Sequence, residues 1–338
     1  MPLPFAINGL GRIGRALLRI AAQRDTIALV AANDLAPADQ LAHLVAHDTL
    51  HGAFDGTVAA DDGAMVVNGH RIVVFGEAEP ARVPWPDTDA RVVVDATGRC
   101  LTRECAESHC RGQVEKVIVS ANARGMDLTL CPGVNHGAYD PQRHRLLSGA
   151  SCTTNCIAPI AFLLNREYGL RRAMLNTVHS YNNDQRLLES AHSDPRRARA
   201  AALNMIPTST SAVEALGRVL PELAGRIEGF AIRVPTPNVS LIDLVAELER
   251  CPTVAEINQL FETAAGGELA GVLATTRDEL VSSDFMGDPH SAIVDLSLTQ
   301  SVGRNGNGAL YRVVAWYDNE WGHASRLADI LELIAERG

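Results

Sequence analysis

Ser151-Cys152-Thr153-Thr154-Asn155-Cys156 sets a thiol among hydroxyl and amide residues, directly ahead of the apolar run Ile157-Ala158-Pro159-Ile160-Ala161-Phe162-Leu163-Leu164. The run predicts a buried helix whose first turn carries Cys152. The N–H groups and positive dipole end of a helix start favour a thiolate, the reactive form of cysteine. A cysteine alone is more often a small buried hydrophobe, so this reading needs a partner. His179 supplies one. It closes the strand-like Ala173-Met174-Leu175-Asn176-Thr177-Val178 and opens a polar loop, where an imidazole can act as base and keep the thiol ionised.

A second chemistry opens the chain. Leu3 to Ile7 is a short apolar run, followed at once by Asn8-Gly9-Leu10-Gly11-Arg12-Ile13-Gly14, with glycines at the G-x-G-x-x-G spacing. Ile13, Leu17, Ile20 and Ala21 then recur at helical intervals, so the glycines lie between a strand and a helix. That context lets the backbone approach a pyrophosphate whose charge rests on the helix start. The next strand-like run, Ile27 to Ala32, ends in Asn33-Asp34, where a carboxylate can accept the hydroxyls of an adenosine ribose. Together these predict dinucleotide binding.

The elements that must position these groups fall into two textures. Apolar strands at 27–32, 92–96 and 117–121 alternate with helical stretches such as 101–110, the pattern of a parallel sheet flanked by helices. Beyond Cys156, strand-like runs at 173–179, 229–235, 239–249, 291–299 and 310–317 have few helices between them, which predicts a largely antiparallel sheet. Helices are expected at 211–220, 253–264 and 322–336, the last amphipathic through Leu327, Ile330, Leu331 and Ile334. The fold class is therefore α/β: a Rossmann-type domain over 1–151 and an α+β catalytic domain on a mostly antiparallel sheet over 152–321. Residues 181–204 form a long charged connection, of the kind that is often functional.

Composition narrows the function. A chain of 338 residues exceeds what one core usually serves. Its formal net charge of -10 argues against nucleic acid or an anionic membrane as partner. No segment approaches the roughly 18 uninterrupted apolar residues of a membrane span, and the immediate entry into a strand leaves no room for a cleavable signal. Seven cysteines do not suggest a disulfide framework, and Cys100, Cys105 and Cys110 stand at spacings that no common metal site uses. Reduced thiols, no metal and a cytoplasmic location are expected.

Longer words carry a family resemblance over essentially the whole chain. Ile-Asn-Gly-Leu-Gly-Arg-Ile-Gly-Arg (7–15), Ala-Ser-Cys-Thr-Thr-Asn-Cys (150–156), Thr-Val-His-Ser-Tyr (177–181), Asp-Gln-Arg (184–186), Arg-Arg-Ala-Arg-Ala-Ala-Ala (196–202), Arg-Val-Pro-Thr-Pro-Asn-Val-Ser (233–240) and Trp-Tyr-Asp-Asn-Glu (316–320) resemble the phosphorylating glyceraldehyde-3-phosphate dehydrogenases. The resemblance implies NAD as cofactor, bound by Asn8, Gly9, Gly11, Arg12, Ile13, Gly14, Asp34, Thr97, Gly98 and Ser120, with Asn319 fixing the nicotinamide carboxamide. It implies Cys152 as nucleophile and His179 as its base. A phosphorylated aldehyde would be held through Arg233, Arg197 and position 182, here Asn182. The attacking inorganic phosphate would be held through Ser151, Thr153, Thr210 and position 211, here Ser211. It also implies that helix 322–338 packs back on the first domain, and that 181–204 lies at a subunit interface of a homotetramer.

The chain departs from that pattern at several points. Asn182 replaces a usual threonine, Ser211 a usual glycine, Ala78 an arginine common near the adenine, and Ser190-Ala191 a Leu-Pro pair that helps exclude NADP. Asp34 opposes the extra phosphate of NADP, and Leu35 agrees. The smaller Ser190-Ala191 pair leaves room for some NADP use. Asp288 to Asp295 and Asn319-Glu320-Trp321-Gly322 also resemble erythrose-4-phosphate dehydrogenase, a sister activity. A redox-sensing or binding protein on the same fold is the alternative of a different class.

Overall fold

The computed structural model describes residues 1–303 and 309–338. The chain divides into two compact units, Met1–Ser151 with His323–Gly338, and Cys152–Gly322.

In the first unit the chain runs β1 (Leu3–Asn8), α1 (Arg12–Ala21), β2 (Ile27–Asn33), α2 (Ala38–Ala46), β3 (His47–Asp48), β4 (Gly52–Ala53), β5 (Val58–Asp61), β6 (Ala64–Val67), β7 (His70–Phe75), β8 (Val92–Asp95), α3 (Arg103–Glu107), β9 (Lys116–Val119), β10 (Leu128–Thr129) and β11 (Leu146–Ser148). Nine strands form one sheet in the order β10-β11-β9-β8-β1-β2-β7-β6-β5. From β10 to β7 every pairing is parallel; β7-β6-β5 is an antiparallel tail. The central strands are apolar because both faces are covered: every residue of β8 and β9 is buried. This is the Rossmann-type layer expected from residues 3–14 and the later apolar runs. The antiparallel tail and α2 escape the sequence reading, because β5 is largely exposed and has no apolar face to announce it.

The expected helix at 101–110 is only the short α3, capped by the Thr102 hydroxyl, which accepts from the Cys105 N–H at 3.4 Å. The expectation of reduced cysteines also needs correction. Cys100 and Cys105 form a disulfide with Cα atoms 5.4 Å apart, because the turn into α3 folds the chain back within bridging reach.

The second unit contains α4 (Cys152–Tyr168), β12 (Leu170–Ser180), β13 (Ile206–Thr208), α5 (Ala212–Val219), β14 (Ile227–Val234), β15 (Ser240–Leu248), α6 (Val254–Ala265), β16 (Leu273–Thr276), β17 (Ala292–Asp295), β18 (Gln300–Val302) and β19 (Leu310–Tyr317). The sheet order is β13-β14-β12-β15-β19-β17-β16, with β18 also on β19. β12–β14 and β16–β17 are parallel, and the remaining pairs are antiparallel. β15 shows why the alternating reading works: its residues alternate strictly between buried and half-buried. The predicted strand at 291–299 ends early, giving way to a 3₁₀ turn at Leu296–Leu298 before β18. Residues 181–204 carry one short 3₁₀ turn, Ala201–Leu203, and no strand or longer helix. The final helix α7 (Trp321–Arg337) begins where the Asp318 carboxylate accepts the N–H groups of Glu320 and Trp321, each at 2.8 Å.

Candidate active site

The glycine turn is built by leaving side chains out. Gly9 has a φ of +93°, and a Cβ there would stand 2.9 Å from the Thr97 nitrogen. A Cβ on Gly14 would lie 2.1 Å from the Gly9 carbonyl oxygen, so only glycine lets α1 approach β1 this closely. Gly11, at the N-cap of α1, faces open space instead. Asp34 follows β2, where its carboxylate accepts the N–H of Leu10 at 2.8 Å and of Ala36 at 3.0 Å. The acid is therefore tied to the glycine turn itself.

Beneath the turn the Asn8 amide donates to Asp95 at 2.7 Å and accepts from Asn33 at 2.7 Å. Asp95 also accepts from the Thr97 hydroxyl at 2.7 Å, and its backbone oxygen takes the Ser120 N–H at 2.9 Å. Burial pushes the Asp95 carboxyl up, but bonds from His109, Thr97 and Asn8 outweigh it and hold the group below its ordinary range. Asn8, Gly9, Gly11, Gly14, Asp34, Thr97, Gly98 and Ser120 thus cluster at the carboxyl ends of β1, β2, β8 and β9, where such sheets take their ligands. Ile13 lies in the first turn of α1, and the Arg12 guanidinium reaches Asp48 at 3.5 Å.

In the second unit, α4 starts at Cys152 and buries Thr153 to Ala161 behind it. His179 occupies the penultimate position of β12, buried, with Nε2 3.5 Å from the Cys152 Sγ. Its Nδ1 lies 2.7 Å from the Ser180 carbonyl; with the proton on Nδ1 and donated to that carbonyl, the Nε2 lone pair faces the thiol. Parallel pairing of β12 with β14 sets Arg233 beside His179. The Arg233 Nη1 donates to the same Ser180 carbonyl at 3.1 Å and crowds the imidazole Nδ1. Its Nε is buried without a hydrogen-bond partner, and among the described residues no carboxylate forms an ion pair with this guanidinium.

The electrostatics differ from the expected thiolate–imidazolium pair. Burial, then the Arg233 charge, push His179 down to about 3 against the opposing Ser180 bond. Burial pushes the Cys152 thiol up, more than Arg233 and the Thr153 bonds draw it down. Both shifts favour a neutral imidazole beside a protonated thiol, because His179 is buried, Cys152 is half-buried, and among the described residues the charge acting on both is the positive Arg233.

The remaining predicted residues are placed as follows. Arg197 donates to the Thr208 hydroxyl at 2.7 Å and to Asp184 at 2.6 Å. The Asn182 amide oxygen accepts the Asp184 N–H at 3.0 Å, leaving its N–H₂ as the outward donor. The Thr153 hydroxyl lies 2.9 Å from the Tyr317 hydroxyl. Thr210 accepts from the Ala212 N–H at 3.2 Å, and Ser211 forms the N-cap of α5 with φ −87°, a conformation that needs no glycine. Ser151 precedes Cys152 and is half-buried. The Asn319 amide oxygen accepts two hydroxyls, Ser180 at 2.8 Å and Ser240 at 3.0 Å. That fixes the amide orientation and aims its N–H₂ away from both serines.

Sequence reasoning missed Tyr317, Ser180 and Ser240. Each sits inside a word already quoted, and strand parity places Tyr317 on the buried side with Val313 and Ala315.

The C-terminal domain of glyceraldehyde 3-phosphate dehydrogenase matches this chain over residues 151–319, and the NAD binding domain of the same enzyme over residues 3–103. The chain belongs to the glyceraldehyde-3-phosphate dehydrogenase family. It is 48% identical over 334 residues to glyceraldehyde-3-phosphate dehydrogenase 1 of Bacillus cereus, covering 99% of each chain. Identity to the enzyme of Geobacillus stearothermophilus is 46% over the full length of both, and to that of Kitasatospora aureofaciens 46% over 98% of this chain and 99% of that one. Membership makes the chain an NAD-dependent oxidoreductase, consistent with a glycine turn that leaves no room for a side chain. The sister activity on erythrose 4-phosphate is not favoured by these relatives.

Proposed function

We propose that this chain oxidises glyceraldehyde 3-phosphate with NAD and inorganic phosphate, giving 1,3-bisphosphoglycerate through a thioester on Cys152. The observation that carries this is the thiol–imidazole contact of 3.5 Å backed by the Arg233 guanidinium, whose Nε is buried without a hydrogen-bond partner and which pairs with no carboxylate among the described residues. A half-buried cation with an unsatisfied Nε calls for an anion, and a phosphorylated aldehyde supplies one beside the nucleophile.

Cys152 adds to the aldehyde carbon as its proton passes to His179 Nε2, and His179 returns that proton to the forming alkoxide. Bound NAD would supply the acceptor for the hydride that leaves this carbon. His179 takes the hydroxyl proton as the carbonyl re-forms, leaving the thioester. Phosphate then attacks, and the protonated His179 re-protonates the departing sulfur. Arg233, Arg197 and the Asn182 amide hold the substrate phosphate; Ser151, Thr153 and Thr210 receive the attacking one, with the Ser211 side chain crowding that position. Asn319, locked by Ser180 and Ser240, offers its N–H₂ to the nicotinamide carboxamide. Asn8, Gly9, Gly11, Arg12, Ile13, Gly14, Asp34, Thr97, Gly98 and Ser120 hold the rest of the dinucleotide, with some NADP accepted.

On this reading residues 1–151 with helix 322–338 are the dinucleotide domain, and 152–321 the catalytic domain. A cytoplasmic homotetramer is the expected form. Leu187, Leu188, Leu203 and Met205, all exposed apolar side chains in or beside the 181–204 connection, support burial against further copies. Steady-state kinetics with both aldehydes, both cofactors, and phosphate present or withheld test the assignment. Glyceraldehyde 3-phosphate with NAD and phosphate is expected to give the highest kcat/KM, and equal turnover without phosphate or arsenate would overturn the phosphorolytic step.

A further inference from the structure

The mechanism leaves one buried polar cluster unused. Asp95 Oδ2 faces His109 Nε2 at 3.1 Å, and His109 Nδ1 accepts the Trp85 indole N–H at 2.9 Å, with Trp85 and His109 fully buried. The Cys100 sulfur joins them: ligand-type atoms of Asp95, Cys100 and His109 all lie within 4.8 Å of one another. A metal is the obvious thought. The tautomer opposes it, because indole nitrogen only donates, so Nδ1 must accept and Nε2 carries the proton that Asp95 receives. Cys100 is moreover already joined to Cys105.

That bridge stands close to the dinucleotide turn. Asp95 holds Thr97 through both its N–H at 3.1 Å and its hydroxyl at 2.7 Å, Thr97 backs directly on Gly9, and Cys100 follows three residues later. Cys100 is buried while Cys105 is half-buried, so Cys105 is the more accessible end of the bridge.

We propose that Cys100 and Cys105 are a reversible dithiol–disulfide pair that sets the affinity of the dinucleotide turn. The reductant is a small dithiol. One of its thiolates attacks the Cys105 sulfur, forming a mixed disulfide and expelling the Cys100 sulfur, which takes up a proton beside Asp95. The second thiolate of the reductant then attacks its own sulfur in the mixed disulfide, releasing the Cys105 thiolate and leaving as a cyclic disulfide. Two electrons pass to the protein, and the oxidised dithiol reverses the sequence. Closed, the bridge pins residues 100–105 and with them the Thr97-Gly98-Arg99 turn; opened, that turn gains freedom that binding must remove. Disulfides in cytoplasmic proteins are commonly transient or sensing, which suits such a role.

The inference rests on the dinucleotide reading, so its test separates the two. Full-length protein carrying Cys152→Ser, to silence the nucleophile, is equilibrated over a series of reduced-to-oxidised dithiothreitol ratios. Free thiols are trapped by alkylation and located by peptide mass, and NAD affinity is measured calorimetrically at both extremes. Cys100 and Cys105 are expected to titrate together in one two-electron step, with the NAD Kd roughly two- to fivefold higher in the reduced protein. Cys105→Ser and Cys105→Ala are each expected to stay at the reduced value whatever the ratio. Full alkylation of both cysteines under oxidising conditions would overturn the proposal. So would an NAD Kd that is unchanged between the extremes, or stoichiometric zinc in the reduced protein that Cys100→Ser removes. Absence of NAD binding at both extremes would instead overturn the dinucleotide reading and, with it, the effect on affinity.

Discussion

Two helix starts carry the candidate chemistry, and they are made in opposite ways. At α1 the site is a surface of bare backbone, where a Cβ on Gly14 would sit 2.1 Å from a carbonyl oxygen. At α4 the site is a set of side chains, with Cys152 on the helix and His179 and Arg233 on neighbouring strands. Polar groups under the first are mutually satisfied: Asn33, Asn8, Asp95, His109 and Trp85 form a continuous chain of donors and acceptors. Beside the second, the Arg233 Nε is buried without a partner. A satisfied network fixes a shape, whereas an unsatisfied one waits for a ligand. The cradle is therefore expected to be rigid and tolerant of polar changes at its rim, while the cysteine site is expected to fail when any of its groups is removed.

Removing the nucleophile makes the sharpest contrast. Cys152→Ser is expected to lower dehydrogenase turnover to background while calorimetric NAD affinity stays within about twofold, since the cradle has no atom in common with it. Wild-type-like turnover would sink the thioester route.

His179→Asn is expected to cost about 10²- to 10⁴-fold in kcat, the range of a lost general base. The same site makes a prediction about pH. With His179 held down to about 3 and the Cys152 thiol pushed above its ordinary value, thiolate forms only as pH rises past that raised value. Alkylation of Cys152 in the substrate-free protein is thus expected to accelerate toward alkaline pH with no inflection near neutrality. An inflection at pH 6 to 7 in the parent that His179→Asn abolishes would show an ion pair already present.

Gly14→Ala attacks the other helix start. Its Cβ has no space, so a stability loss of about 1–3 kcal/mol is expected by chemical denaturation, together with a weakened NAD affinity. An unchanged denaturation midpoint would mean that the turn yields more easily than its geometry indicates.

Asp34→Ala is expected to raise kcat/KM with NADP about tenfold, because the carboxylate that opposes a ribose phosphate is gone. No gain would locate the discrimination elsewhere. The smallest effect is expected at Ser211→Gly, which should lower the KM for phosphate roughly twofold with the aldehyde KM unchanged, by relieving crowding where the family usually has glycine. A rise in that KM would mean the serine hydroxyl is a phosphate donor.

The same contrast explains what could be read from the sequence. A site made by omission leaves a local mark, so Gly9, Gly11 and Gly14 with Asp34 announced the cradle, and the apolar strands β8 and β9 announced the sheet behind it. The cysteine site was legible in its words but not in its geometry. Nothing local says that β12 and β14 pair in parallel and set Arg233 against His179, where burial and then the Arg233 charge hold the imidazole neutral, nor that burial raises the Cys152 thiol against the pull of the same charge. Ser180 and Ser240 were invisible as positioning groups because each acts through Asn319, 139 and 79 residues away. The Cys100–Cys105 bridge depended on a turn geometry that composition does not encode.

The indole–imidazole bond at the far end of the Asn8 network has a practical consequence. Trp85 is sealed from water and donates its indole N–H to His109, whereas Trp316 and Trp321 belong to the other unit and are half-buried. Its emission is therefore set by the core packed around it, including Phe75 and the Cys100 sulfur, and by the His109 hydrogen bond. The protein carries an intrinsic fluorophore wired to the residues beneath its glycine turn, so with Trp316 and Trp321 replaced by phenylalanine, events there can be followed in real time, without a label, from the colour and yield of the remaining tryptophan.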